Sequence, residues 1–215
     1  MLNMMVSRVV LFGMLMATSA AVAQTKSDAF VKEVPVTWLG LDFTSSKLIG
    51  DRERYGSVSD VLHLMEAWNQ LILAEPDKFD IAKAIGRIKV ENAVEVTKEH
   101  NAELDVSSMF SDDEKDYLHI KMADVDEIIA SYDFKDLSGI GLMFNVESFN
   151  KINVEGSIWV TFINLGTKEV LFTERMVAPP AGMGMRNYWA GCIYEILTKI
   201  RKKEFEMWRK KHYRP

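Results

Sequence analysis

Apolar residues recur at helical spacing in three long stretches of the chain. Val61, Leu64, Met65, Trp68, Leu71 and Ile72 form the first stripe. Ser57 or Ser59 offers an N-cap ahead of it, Asp60 falls in the first turn, and Pro76 stops the helix after about Ala74. The second helix runs from Ala123 to Tyr132, turns Val125, Ile128, Ile129 and Tyr132 inward, and carries Asp124, Asp126 and Glu127 where its dipole favours them. The third begins near Asn187 and continues past Trp208, with Trp189, Cys192, Ile193, Ile196, Leu197 and Ile200 on one face. Beyond Ile200 that face meets Lys203 and Glu204, so the helix is expected to project past the core. A short helix from Asp80 to Ile85 ends at Gly86.

Other stretches carry the two-residue period of strands. Val36 to Phe43 is apolar on both faces, as in a strand inside a covered sheet. Ile88, Val90, Val94 and Val96 alternate with polar neighbours and predict a second strand. Ile140 to Val146, Ile158 to Ile163 and Glu169 to Met176 predict a meander with turns at Asn150-Lys151 and Asn164 to Thr167. Thr44 to Arg52 reads as a polar loop, and His100 to Glu114 as a long loop or partly helical insertion. The order β-α-α-β-α-β-β-β-α predicts an α/β or α+β fold. In it, helices pack on a mixed sheet that ends in an antiparallel meander and a closing C-terminal helix.

The N-terminus changes this picture by removing itself from it. Arg8 supplies a positive start, Val9 to Met16 a short apolar core, and Ala21-Val22-Ala23 the small-x-small pattern of a signal peptidase site. Residues 1–23 are therefore expected to be cleaved before Gln24, which sends the protein to the periplasm or outside the cell. The apolar run is shorter than the ~20 residues a membrane span needs. Residues 24–35 read as an extended leader and residues 36–215 as one domain. With Cys192 as its one cysteine, the chain holds no internal disulfide, and that residue reads as a buried small hydrophobe.

Charge is uneven. Residues 199–215 carry eight Lys/Arg against two Glu, while the remainder of the exported chain is acidic. An acidic body argues against a nucleic-acid partner. The basic tail complements the helix dipole and offers a weak contact to anionic membrane.

No motif supplies chemistry outright. His63, His100, His119 and His212 are scattered without metal-ligand spacing, and Asp112-Asp113-Glu114 with Asp116 lacks the ligand alternation and glycine of a calcium loop. Ser45-Ser46 follows a strand without a G-x-S-x-G setting. Neither a metal nor a cofactor is implied. Gly182-Met183-Gly184-Met185-Arg186-Asn187 could hold an anion at a helix N-terminus, but it reads mainly as a hinge laying the closing helix on the sheet, with Asn187 as cap. Met183 and Met185 would form an adaptable contact surface if exposed. Asp42, Thr44, Ser45 and Arg52 lie where an α/β sheet places a ligand crevice, so with Arg186 and Asn187 they are the candidate ligand-binding residues.

Trp38-Leu39-Gly40-Leu41-Asp42-Phe43-Thr44 together with Gly182-x-Gly184-x-Arg186-Asn187-Tyr188-Trp189-Ala190 resembles uncharacterised exported proteins of Bacteroidetes-type Gram-negative bacteria. The element order is similar to envelope domains such as the N-terminal domain of TolB. The resemblance implies an envelope location and no particular activity. The leading expectation is a non-enzymatic periplasmic module that binds another envelope component or itself as a homodimer. The rival is a small-ligand-binding protein or hydrolase using loops 42–52 and 182–187, which requires those loops to converge.

Overall fold

The computed structural model describes residues 24–213; the signal read in residues 1–23 lies outside them. The fold is a mixed α/β sandwich organised on one long strand, β5 (Ile140–Asn150), every residue of which is buried. Along one edge β5 pairs in parallel first with β1 (Val36–Asp42) and then with β2 (Lys47–Ile49), so these two short strands share one partner end to end. On its other edge it pairs with antiparallel β6 (Glu155–Asn164), and β6 in turn with β7 (Glu169–Ala178). β3 (Val90–Asn92) extends the sheet beyond β1, and β4 (Phe110–Ser111) beyond β2.

Helices cover both faces. α1 (Val58–Ala74), α2 (Ile81–Ala84) and α5 (Gly184–Lys199) enclose the larger core, built around Trp38, Trp68, Phe144, Phe149 and Trp189. The α1 start is fixed by a capping box, with Ser57 accepting from the Asp60 N–H and Asp60 accepting in return. α4 (Met122–Ser131) covers the other face through Val125, Ile128 and Ile129, which pack with Leu39, Met143, Trp159 and Ile163.

A register shift in β1 brings Asp42 into that second layer, and a shift in β5 re-phases the strand after Glu147. In β1 the pairing with β5 slips between Trp38 and Gly40, so Val36, Trp38, Leu41 and Phe43 all serve the larger core while Leu39 serves the smaller. Without the extra residue, alternation would send Asp42 into the apolar core; with it, Asp42 faces α4. Gly40 permits the bulge, because its φ is +102° and a Cβ there would lie 2.5 Å from Asn69 Oδ1. A second shift in β5, between Val146 and Ser148, returns Phe149 to the larger core, while Glu147 lies on the α4 side by plain alternation with Met143 and Asn145.

Several expectations are corrected. The stretch Ile88 to Val96 is not one strand: pairing with β1 ends at Asn92, and α3 (Glu95–Ala102) begins almost at once. Val96, Thr97 and Asn101 are its buried positions. α3 occupies this place because β1 outlasts β3 and its edge needs another cover. Asn69 of α1 exchanges two hydrogen bonds with the Leu41 backbone (2.7 and 3.1 Å), and Asn101 of α3 binds Leu41 O and Phe43 N at 2.9 and 3.0 Å. Two side-chain amides thus stand in for the missing strand. The loop read from Thr44 to Arg52 contains β2, whose three residues are too few to show a period.

The closing helix begins at Gly184 and does not leave the core after Ile200. A π-helical turn at Ile200–Glu204 inserts an extra residue, and α6 (Phe205–His212) then presents Phe205 and Trp208 to the core, 6% and 5% exposed. The leader is not extended throughout either. Asp28–Phe30 forms a 3₁₀ turn whose Phe30 packs on Phe162, Phe172, Phe205 and His212. Buried Arg87 holds that turn through Ala29 O at 2.6 Å, and burial lowers its guanidinium to about 10. Cys192 is buried, its thiol pushed up to about 12 by desolvation.

Candidate functional site

The chain leaves β5 after Asp42 and returns at Lys47, opening the sheet edge beneath α4. Asp42 is 1% exposed. Its Oδ1 accepts from Tyr132 Oη at 2.7 Å, from Thr44 N at 3.1 Å and from the Thr44 hydroxyl, and Oδ2 accepts from Asn145 Nδ2 at 2.9 Å. Thr161 donates to Asn145 Oδ1 at 2.7 Å and lies 2.9 Å from the Thr173 hydroxyl, which carries the network across four strands, β1, β5, β6 and β7. Burial, and next the Asp42 carboxylate, push the Tyr132 phenol far above its ordinary value and keep it a donor.

A second buried centre lies along the same layer. Glu147, fully buried, accepts from Ile120 N at 2.7 Å and Ser157 Oγ at 2.6 Å, and its Oε2 lies 2.8 Å from Arg175 Nε. Arg175 also lies over the Trp159 ring at 4.7 Å. Both carboxylates therefore spend their lone pairs on the protein itself.

The six residues expected to bind ligand fall in different places. Asp42 and Thr44 belong to the buried network. Thr44 and Ser45 line two cavities flanking the 43–46 loop, of about 400 and 300 Å³, with His119 between them. His119 ties that loop down: its Nε2 is 2.8 Å from Ser45 O and its Nδ1 2.6 Å from Asp116 O. Neither cavity includes a residue of Gly182–Asn187. Arg52 lies over the Phe110 ring at 4.6 Å. The Arg186 side chain donates to Asn187 Oδ1 at 3.2 Å, and its carbonyl accepts from Trp68 Nε1 at 2.9 Å. Asn187 is not the helix cap, since α5 starts three residues before it with Met183 in the N-cap position. Another cavity, about 440 Å³ between α1 and α3, has the edge-covering Asn69 and Asn101 in its walls and Lys98 ion-paired to Glu66 and Glu95 at 3.6 and 3.2 Å.

The glycine loop instead joins residues that the sequence does not single out. A cavity of about 380 Å³ is lined by Arg54, Lys151, Val154, Gly184, Met185 and Tyr188. Each wall has a local cause. Asp51 accepts from Glu53 N and starts the 3₁₀ turn Arg52–Arg54. Asn150 Oδ1 accepts from Ile152 N and Asn153 N at 2.8 and 3.0 Å, which turns the chain after β5 and leaves Lys151 on the inside. The loop closes as Ala181 N donates to Tyr188 O at 3.0 Å. Gly182 (φ +124°) and Gly191 allow it, because a Cβ on Gly191 would meet Ala181 O at 2.0 Å.

This cavity is electrostatically unlike the others. Lys151 Nζ donates to Arg54 O and lies 4.3 Å from the Tyr55 ring centre. Burial, followed by the neighbouring Arg54 charge, lowers its ammonium to about 8, and Asp51 offsets this only in third place. Among the described residues neither Arg54 nor Lys151 forms an ion pair. The rim is apolar: Met183 is 89% exposed, Ile152 49% and Val154 47%. Of the two loop methionines, Met183 is the exposed one, while Met185 packs partly against the core.

The sequence signal for this site is faint. Arg54 and Lys151 are 97 positions apart, and the parallel pairing of β2 with the end of β5 brings them together.

Set against known proteins, the chain matches no family model, no curated protein and no solved structure. Among the described residues no helix is long and apolar enough to cross a membrane, and no cluster of three or more His, Cys, Asp or Glu is placed to hold a metal.

Proposed function

We propose that this chain is a non-enzymatic interaction module of the bacterial cell envelope. Its docking face is the glycine loop together with the turn between β5 and β6. The observation that carries the reading is the pairing of exposed apolar residues, Met183, Val154 and Ile152, with the unpaired cations Arg54 and Lys151 in a chain whose net charge is −5. A partner segment with acidic and apolar side chains fits that chemistry: apolar anchors bury area, and charge steers the encounter. The export pattern in residues 1–23 supports a periplasmic setting. The residues able to do acid–base work under α4 are engaged with one another, which favours binding over catalysis.

Site-specific photocrosslinking in living cells tests this. A crosslinker at Met183 or Val154 is expected to give a discrete adduct, and one at exposed Glu91 on β3 is not. Adduct mass separates a different envelope protein from a second copy of the chain. Equal smears from all three positions, or no adduct from the first two, would contradict the reading.

A further inference from the structure

We propose that the Arg54–Lys151 cavity is a recognition site for a small organic anion. Its phosphate or carboxylate end would meet the two cations, and its apolar part would lie on Val154, Met185 and Tyr188. The inference rests on the reading of this face as the binding face and adds the ligand class. Three observations support it. Two cations share one cavity with no ion pair to either, an arrangement that costs repulsion unless an anion relieves it. Lys151 spends one of its three donors on Arg54 O, which leaves two for a ligand. The volume, about 380 Å³, falls in the range of small-ligand pockets, and half the lining is apolar or aromatic.

Binding also has a protonic signature. With an ammonium already lowered to about 8, an anion beside Lys151 raises that value, so ligand binding near pH 8.5 takes up protons.

The test uses phenyl phosphate as probe on the full exported chain, with inorganic phosphate and benzyl alcohol as partial mimics. Amide NMR titration is expected to show saturable shifts confined to residues 54, 151–154 and 184–188. Phenyl phosphate should bind more tightly than either partial mimic, and Arg54→Gln or Lys151→Gln should weaken it about tenfold. Calorimetry at pH 8.5 in two buffers of different ionisation enthalpy should report proton uptake that disappears in Lys151→Gln. Shifts that do not saturate, or affinity unchanged in both variants while their melting curves match wild type, would overturn the proposal. So would sedimentation with phosphatidylglycerol vesicles that depends on Arg54 and Lys151 without phenyl phosphate binding, since that assigns the cations to a membrane surface. Crosslinking from Met183, outside the cavity, separates the two readings. An adduct without phenyl phosphate binding rejects the anion site alone; phenyl phosphate binding without an adduct rejects the docking partner alone.

Discussion

Under α4, Asp42 and Glu147 are 1% and 0% exposed and all four of their carboxylate oxygens meet donors; beside the glycine loop, Arg54 and Lys151 share a cavity and pair with no carboxylate. The first region is polar because a bulge in β1 and the alternation of β5 turn Asp42 and Glu147 into a buried layer, where each carboxylate bond is supplied from within. The second is polar at a cavity open to solvent, where the partial burial of Lys151 and the charge of its neighbour Arg54 have a cost that no carboxylate pair among the described residues offsets. Buried polarity of the first kind fixes register and specifies the layer. Unpaired charge of the second kind is left for something outside the chain.

Breaking the buried region should therefore cost stability, and breaking the cationic region should cost little. The largest effect is expected from Glu147→Ala, which leaves the Arg175 guanidinium, 29% exposed, without its carboxylate and Ile120 N and Ser157 without their acceptor; urea unfolding should show a loss of about 3 kcal/mol. A loss below about 1 kcal/mol would mean that water at the exposed part of Arg175 replaces the carboxylate, and that the pair does not hold this layer together.

Tyr132→Phe is expected to be intermediate. It removes one donor from Asp42 Oδ1 and leaves the two from Thr44, so a loss of about 1–2 kcal/mol should follow.

Lys151→Met is expected to be the smallest change and of opposite sign. The folded value of about 8 lies below the ordinary 10.5, so between them the unfolded chain binds more protons and wild-type stability rises with pH. The variant lacks that slope. It should be slightly more stable than wild type at pH 7, by a few tenths of a kcal/mol, and lose that advantage by about pH 10.5. An advantage that persists at pH 10.5 would place the cause in packing against Tyr55 instead of charge.

How far the sequence anticipates the two regions differs for the same physical reason. Periodicity finds the long elements: α1 with its Ser57 cap, α4, the β5–β6–β7 meander and the closing helix are all legible, because each repeats its pattern over several turns or pairs. It misses β2 and β4, which have three and two residues, and it merges β3 with α3 because Val90, Val94 and Val96 keep an even spacing across the boundary. Asp42 stands out at a strand end, yet only the bulge at Gly40 decides that it enters the polar layer under α4 and not the larger apolar core. The π turn at Ile200–Glu204 likewise restores Phe205 and Trp208 to the core, against a straight-helix projection. Arg54 and Lys151 carry no local pattern at all, since their proximity comes from pairing between β2 and β5.

The central claim is that function resides on the cationic face by the glycine loop. It is tested most directly by photocrosslinking from position 183 in cells carrying either the wild-type chain or the double variant Arg54→Gln/Lys151→Gln. The account predicts one discrete adduct in the wild type and about tenfold less of it in the double variant, with equal amounts of folded protein in both. An adduct of undiminished yield in the double variant, or none in either, would contradict it.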